Sequence, residues 1–145
     1  MKKQVTIEGQ LTEVSFIFND IFRNLLPTFI SEDTKRERTA VDKYLKFLFL
    51  LKLYPEQRLV PNHEIDAILH SHILDENKFN SDCKEIFGSA VKLVHTAGFG
   101  KRGPNDRKAW LKTFEQTRFL FEKHFGKDSM GKTMPASCES MLQPI

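Results

Sequence analysis

Asp66 and His70 stand four residues apart in the run Glu64-Ile65-Asp66-Ala67-Ile68-Leu69-His70-Ser71-His72-Ile73-Leu74. At about 100° per residue they fall roughly 40° apart on a helix, so a carboxylate and an imidazole share one face a turn apart. Ile73 and Leu74 flank the pair and put it inside the apolar arc, where an ion without a partner is costly. The pair either satisfies itself by hydrogen bonding or converges with other groups on something else. His72 points about 160° away from His70 on a regular helix and joins it only if the helix loosens near Ser71. Cys83 lies between Phe79 and Phe87 at four-residue spacing. Its sulfur is expected to look inward, as a small packed hydrophobe or as a ligand. Cys138, in Pro135-Ala136-Ser137-Cys138, is a late ligand candidate. His63 and His124 read as surface or capping residues. Gly98, Gly100 and Gly103 lack phosphate-loop spacing and a following Lys-Ser or Lys-Thr, so they read as turns.

The elements that must position these residues follow from periodicity and punctuation. Apolar positions Val14, Ile17, Phe18, Ile21, Phe22 and Leu25 recur at three and four, which predicts a first helix over Leu11 to Leu26, ended by Pro27. The segment before it, Gln4 to Glu8, alternates too weakly to assign. A second helix follows the polar run from Ser31 to Arg38, becomes almost wholly apolar from Tyr44 to Tyr54 and stops at Pro55. Greasy on most sides, it is expected at the centre. Asn62 caps a third helix starting at His63 or Glu64, and Asp75 caps a fourth that Gly88 closes. Ser89 to Gly103, with His95, reads as irregular. Asn105 or Asp106 opens a fifth helix with Trp110, Phe114, Thr117, Phe121 and Phe125 along one stripe, ended by Gly126. Lys127 to Ile145 shows no sustained period and reads as a flexible tail. The expected fold is all-α: one compact bundle of about five helices over residues 1–126, with an irregular N-terminus and a tail over 127–145.

Composition narrows the function classes. A chain of 145 residues buries enough surface for its own core without needing a metal or disulfide to fold. Its 22 Lys and Arg against 19 Asp and Glu give +3, which does not indicate nucleic acid. Two distant cysteines are unlike a disulfide framework, so a reducing, cytoplasmic setting is expected. The start lacks the apolar run of a signal peptide, and the longest apolar run, Phe47 to Leu51, is far short of the roughly 20 residues that span a bilayer. A specialised secretion signal in the tail lies outside these tests.

Taken together, Tyr44-Leu45-Lys46-Phe47-Leu48, Val60-Pro61, Ile65-Asp66, His70-Ser71-His72-Ile73-Leu74, Phe79, Cys83, Phe87-Gly88 and His95 resemble the glycine-rich-domain-like family over about residues 41–126. The chain departs from that pattern in carrying Leu69 where the family has Trp, a single His95 where a pair is common, and no glycine-rich region. The resemblance implies that Asp66, His70, His72, Cys83 and His95 form one group. Mixed imidazole, thiolate and carboxylate suits zinc, with four ligands in a closed site or three plus water in an open one. Asp66 is alternatively an acceptor that fixes the His70 tautomer.

The expected function is a small, non-enzymatic helical binding or interaction module with a buried Asp-His-Cys cluster, as a polar cluster or a structural zinc site. Its expected partner is another protein, and no cofactor other than zinc is expected. Two alternatives compete. One is a metal-dependent hydrolase using the same cluster, with Asp66 or Glu64 as base. The other is a nucleic-acid-binding module acting through Lys101, Arg102, Arg107 and Lys108.

Overall fold

The computed structural model describes residues 35–145, with side chains from residue 39. The helix expected over Leu11 to Leu26 and the weak alternation at Gln4 to Glu8 lie outside the described residues. Among these residues the order is α1 (Lys35–Leu53), α2 (His63–Leu74), α3 (Glu76–Phe87), β1 (Val91–Ala97), α4 (Pro104–Phe125) and β2 (Cys138–Pro144).

α1 is the central helix. Val41, Tyr44, Phe47, Leu48, Leu50 and Leu51 are fully buried, so its apolar residues meet neighbours on most sides, and it packs against α2, α4 and β2. Each such side chain contributes about 1.5–3 kcal/mol through burial. The helix ends at Leu53, two residues before Pro55.

Asn62 has two tasks at the start of α2. Its Oδ1 accepts from the Ile65 N–H at 2.9 Å, capping the helix, and its Nδ2 donates to the Met130 carbonyl at 2.8 Å. The second bond begins a strap, residues 130–138, laid against the helix entrance. His63 N–H donates to Met134 O, Ala136 N–H donates to Pro61 O, each at 2.9 Å, and Trp110 Nε1 donates to Ala136 O at 2.8 Å. α2 and α3 are joined at Asp75, which caps α3 by accepting from Lys78 N–H. Gly88 and Gly126 follow α3 and α4 with positive φ, as helix ends prefer. Gly100, at φ +95°, also lets the backbone pass against Trp110, where an added Cβ would come within 2.6 Å of the ring.

The all-α expectation is overturned by a two-stranded antiparallel sheet, which makes the fold mixed. β1 and β2 pair from Val91↔Pro144 to Ala97↔Cys138, and Leu59 adds a bridge on the far side of Ser140. The stretch expected to be irregular is thus a strand at Val91–Ala97, and the expected flexible tail ends in its partner. The physical reason lies in the buried face of β2, where Cys138, Ser140 and Leu142 alternate with more exposed residues. Only one of those three inward residues is strongly apolar, so the period of two carries little hydrophobic contrast. Among the described residues no helix is long and apolar enough to cross a membrane.

Candidate metal centre

The sheet register determines half of the site. His95 stands opposite Ser140 and Ala97 opposite Cys138, which places His95 and Cys138 on one face as diagonal neighbours. α2 supplies the other half, presenting Asp66 and His70 one turn apart toward that face. The ligand atoms of Asp66, His70, His95 and Cys138 all lie within 4.8 Å of one another, a group that could hold a metal ion. His70 Nε2 is 3.1 Å from Asp66 Oδ2, His95 Nε2 is 3.2 Å from Asp66 Oδ1, and Cys138 Sγ is 4.0 Å from Asp66 Oδ2. A tetrahedral zinc ion with bonds of about 2.0–2.3 Å separates its ligand atoms by roughly 3.3–3.8 Å, against the 4.8 Å within which these atoms lie, so binding would draw the group together. The His70 and His95 rings meet edge to face with centroids 5.0 Å apart.

Satisfaction of the polar atoms is uneven. His95 Nδ1 lies 2.8 Å from Ser140 Oγ, whereas His95 Nε2 and Asp66 Oδ1 are buried with no hydrogen-bond partner despite their 3.2 Å separation. With an ion on Nε2, the ring proton resides on Nδ1 and is donated to Ser140, the arrangement that orients metal-binding histidines. Burial raises the Asp66 pKa, but its contact with His95 and the charges of His70 and His95 outweigh that, leaving the carboxyl below its ordinary value of 3.8. Burial, followed by the nearby Asp66 charge, pushes the Cys138 thiol up to about 11. A metal would bind it as thiolate and displace that proton.

Of the five residues expected to group, the structure brings together Asp66, His70 and His95, and it places His72 and Cys83 elsewhere. α2 continues regularly to Leu74, so His72 stays on the opposite side from His70. The inward face of α2 is Ile65, Leu69 and His72. Asp66 sits at its margin with 15% of its side chain exposed, and His70 lies farther out at 53%. The apolar arc assumed around Ile73 and Leu74 is therefore displaced, and Leu74 at the helix end is exposed.

His72 belongs to a different cluster. Tyr44 Oη lies 2.6 Å from His72 Nδ1, and His72 Nε2 lies 2.9 Å from Asp82 Oδ2, which Lys78 Nζ approaches to 3.0 Å. Burial lowers the His72 pKa more than Asp82 raises it, so the ring is held neutral. Burial, reinforced by Cys83 and Asp82, raises the Tyr44 pKa. The phenol therefore donates to Nδ1 and the Nε2–H donates to Asp82. Cys83, on α3 beside this chain, is buried and its thiol is pushed up to about 12.

Cys138 was only a late candidate by sequence, and Ser140 gave no signal of its own. The Cys138, Ser140, Leu142 alternation would have placed both on one strand face, but only once β1 was recognised as its partner. The glycine loop is a turn folded over Asp106, whose Oδ2 accepts from Gly100 N–H at 2.7 Å and Arg102 N–H at 3.1 Å. Comparison of the chain with protein-family models, curated proteins and solved structures returns no match.

Proposed function

We propose that this protein is a small protein-interaction module whose shape is fixed by a structural zinc ion on Asp66, His70, His95 and Cys138. The observation that carries the zinc reading is the convergence of four candidate ligand atoms within 4.8 Å of one another, with His95 Nε2 and Asp66 Oδ1 buried 3.2 Å apart in a contact too bent for a regular hydrogen bond. A protonated His95 pairs with Asp66 across that contact, whereas a metal ion bound to both atoms would give each a direct partner. Zinc suits a donor set of two imidazoles, a thiolate and a carboxylate, and four protein donors fill a tetrahedral shell, as in structural rather than catalytic sites. The ion would join α2 to both strands of a two-stranded sheet, a size of sheet that has little stability by itself.

The thiols argue against cysteine-based catalysis. With pKa values near 12 for Cys83 and 11 for Cys138, neither is a reactive thiolate at neutral pH in the absence of metal. The exposed flank of His70 favours one competing reading, a hydrolytic centre in which His70, His95 and Cys138 hold the ion, Asp66 orients the histidines and water takes the fourth place.

Cobalt substitution separates the two. The structural reading predicts a tetrahedral Co(II) spectrum with a thiolate charge-transfer band that disappears in Cys138→Ser, and no change on adding azide or other small anions. A spectrum that shifts with such anions indicates an open position and favours the hydrolytic reading. Absence of the charge-transfer band removes Cys138 from the site.

A further inference from the structure

A groove between α4 and the strap gives the interaction reading a location. Arg107, Leu111, Phe114 and Arg118 recur along one face of α4 at spacings of three and four, and with Lys132 and Met134 of the strap they line a cavity of about 320 Å³. The apolar part is presented outward: Leu111 is 41% exposed and Met134 is 70% exposed. Trp110 forms part of the lining while almost completely buried, anchored by its Nε1 bond to Ala136 O.

Charge identifies the occupant. Arg107, Arg118 and Lys132 line the groove against one acidic residue, Glu115, which pairs with Arg118 and leaves Arg107 and Lys132 as the groove's net positive charge. Apolar contacts set between cations match a segment that alternates apolar and acidic residues. Arginine and tryptophan are also the types that concentrate binding energy in interfaces. Nucleic acid fits less well. Stacking needs an open aromatic face, but the Trp110 ring is covered by the Gly100 backbone and by the Arg107 guanidinium, 5.7 Å from its centroid.

We infer that this groove binds an acidic amphipathic segment of a partner protein, its apolar side chains against Leu111, Phe114 and Met134 and its carboxylates against Arg107 and Lys132. The inference deepens the interaction-module reading by naming the partner's chemistry and the face that meets it. The groove wall does not itself depend on zinc, because hydrogen bonds from Asn62, His63 and Trp110 hold the strap.

The test is selection from a random peptide-display library on the full chain, followed by anisotropy titration of a labelled enriched peptide. Zinc content is measured on the same samples. The expected result is enrichment of sequences in which Asp or Glu is interspersed with Leu, Ile or Phe. The double variant Leu111→Glu/Met134→Glu, at two exposed positions, should weaken the peptide by about tenfold or more while retaining the native circular dichroism. Arg107→Glu/Lys132→Glu should weaken it and flatten its salt dependence. The inference is overturned by absence of enrichment, by enriched sequences without acidic residues, or by binding that the Leu111→Glu/Met134→Glu pair leaves unchanged. It is also overturned if a single-stranded oligonucleotide binds this face more tightly than the peptide. A dimer in sedimentation that the Leu111→Glu/Met134→Glu pair dissolves makes the occupant a second copy of the chain and overturns it too. Full zinc without peptide binding removes the groove alone, and peptide binding without zinc removes the metal reading alone.

Discussion

His70 and His72 leave α2 two residues apart and reach opposite environments. His72 is sealed in the core, with one ring nitrogen on Tyr44 and the other on Asp82, so the cluster ties α2 to α1 and α3. His70 lies at the edge of the helix beside Asp66, where His95 and Cys138 arrive from the two strands. The first cluster is closed by the protein's own donors and acceptors. The second leaves two buried atoms without hydrogen-bond partners. The difference teaches that the presence of histidine, cysteine and carboxylate in one region does not define a site. The two clusters differ in how fully the protein completes their hydrogen bonds and in that the second gathers four candidate ligand atoms within 4.8 Å of one another.

The largest way to break this comparison is to remove the proposed ion. Chelation, or His95→Ala, is expected to lower unfolding free energy by about 4 kcal/mol when free zinc stands near a thousand times its dissociation constant. Urea denaturation with and without chelator measures this, and no difference in the unsubstituted protein would place the cluster with the structural ones. His72→Ala comes next. It leaves Tyr44 and Asp82 buried without that partner and should cost about 3 kcal/mol with or without zinc, while the folded fraction keeps its full metal content. Loss of zinc in that variant would show that the two clusters are not independent.

Smaller changes sharpen the distinction. Ser140→Ala removes the hydroxyl facing His95 Nδ1 and should weaken zinc by about tenfold or more in competition titrations, with a modest effect on the metal-free protein. Tyr44→Phe removes one neutral hydrogen bond to His72 and should cost about 1 kcal/mol without affecting zinc.

The pH response gives the last contrast, in chelated protein. His72 titrates below its ordinary 6.5 in the folded state, so the unfolded chain takes up a proton first. Stability is therefore expected to decline as pH falls below about that value, and Tyr44→Phe should alter this limb. Asp66 has a folded pKa below its ordinary 3.8. Its contribution is present above that value and is lost as pH falls through the lower folded one. Urea midpoints between about pH 8 and about pH 3, compared with Asp66→Asn, separate the two limbs.

The helices were legible because each depends on short-range signals. Pro55, Asn62, Asp75, Gly88 and Gly126 mark helix ends and starts within a residue or two of where the helices lie. The sheet was not legible, because β1 and β2 are separated by the whole of α4 and neither strand has a strongly alternating apolar face. The site inherited both outcomes. Asp66 and His70 followed from helical spacing, and the regular helix correctly set His72 apart, yet the linkage of His95 to Cys138 requires the strand register. Cys83 was inward as expected, but inward on α3 means beside His72 and the core, away from the sheet face that carries His95.

The most direct test of the central claim is the zinc content of protein purified without chelator or an affinity-tag metal, measured beside His95→Ala and His72→Ala. One equivalent in the unsubstituted protein, well under one in His95→Ala and one in folded His72→Ala is the predicted result. Well under one equivalent in all three, or equal content in the unsubstituted protein and His95→Ala, would contradict it.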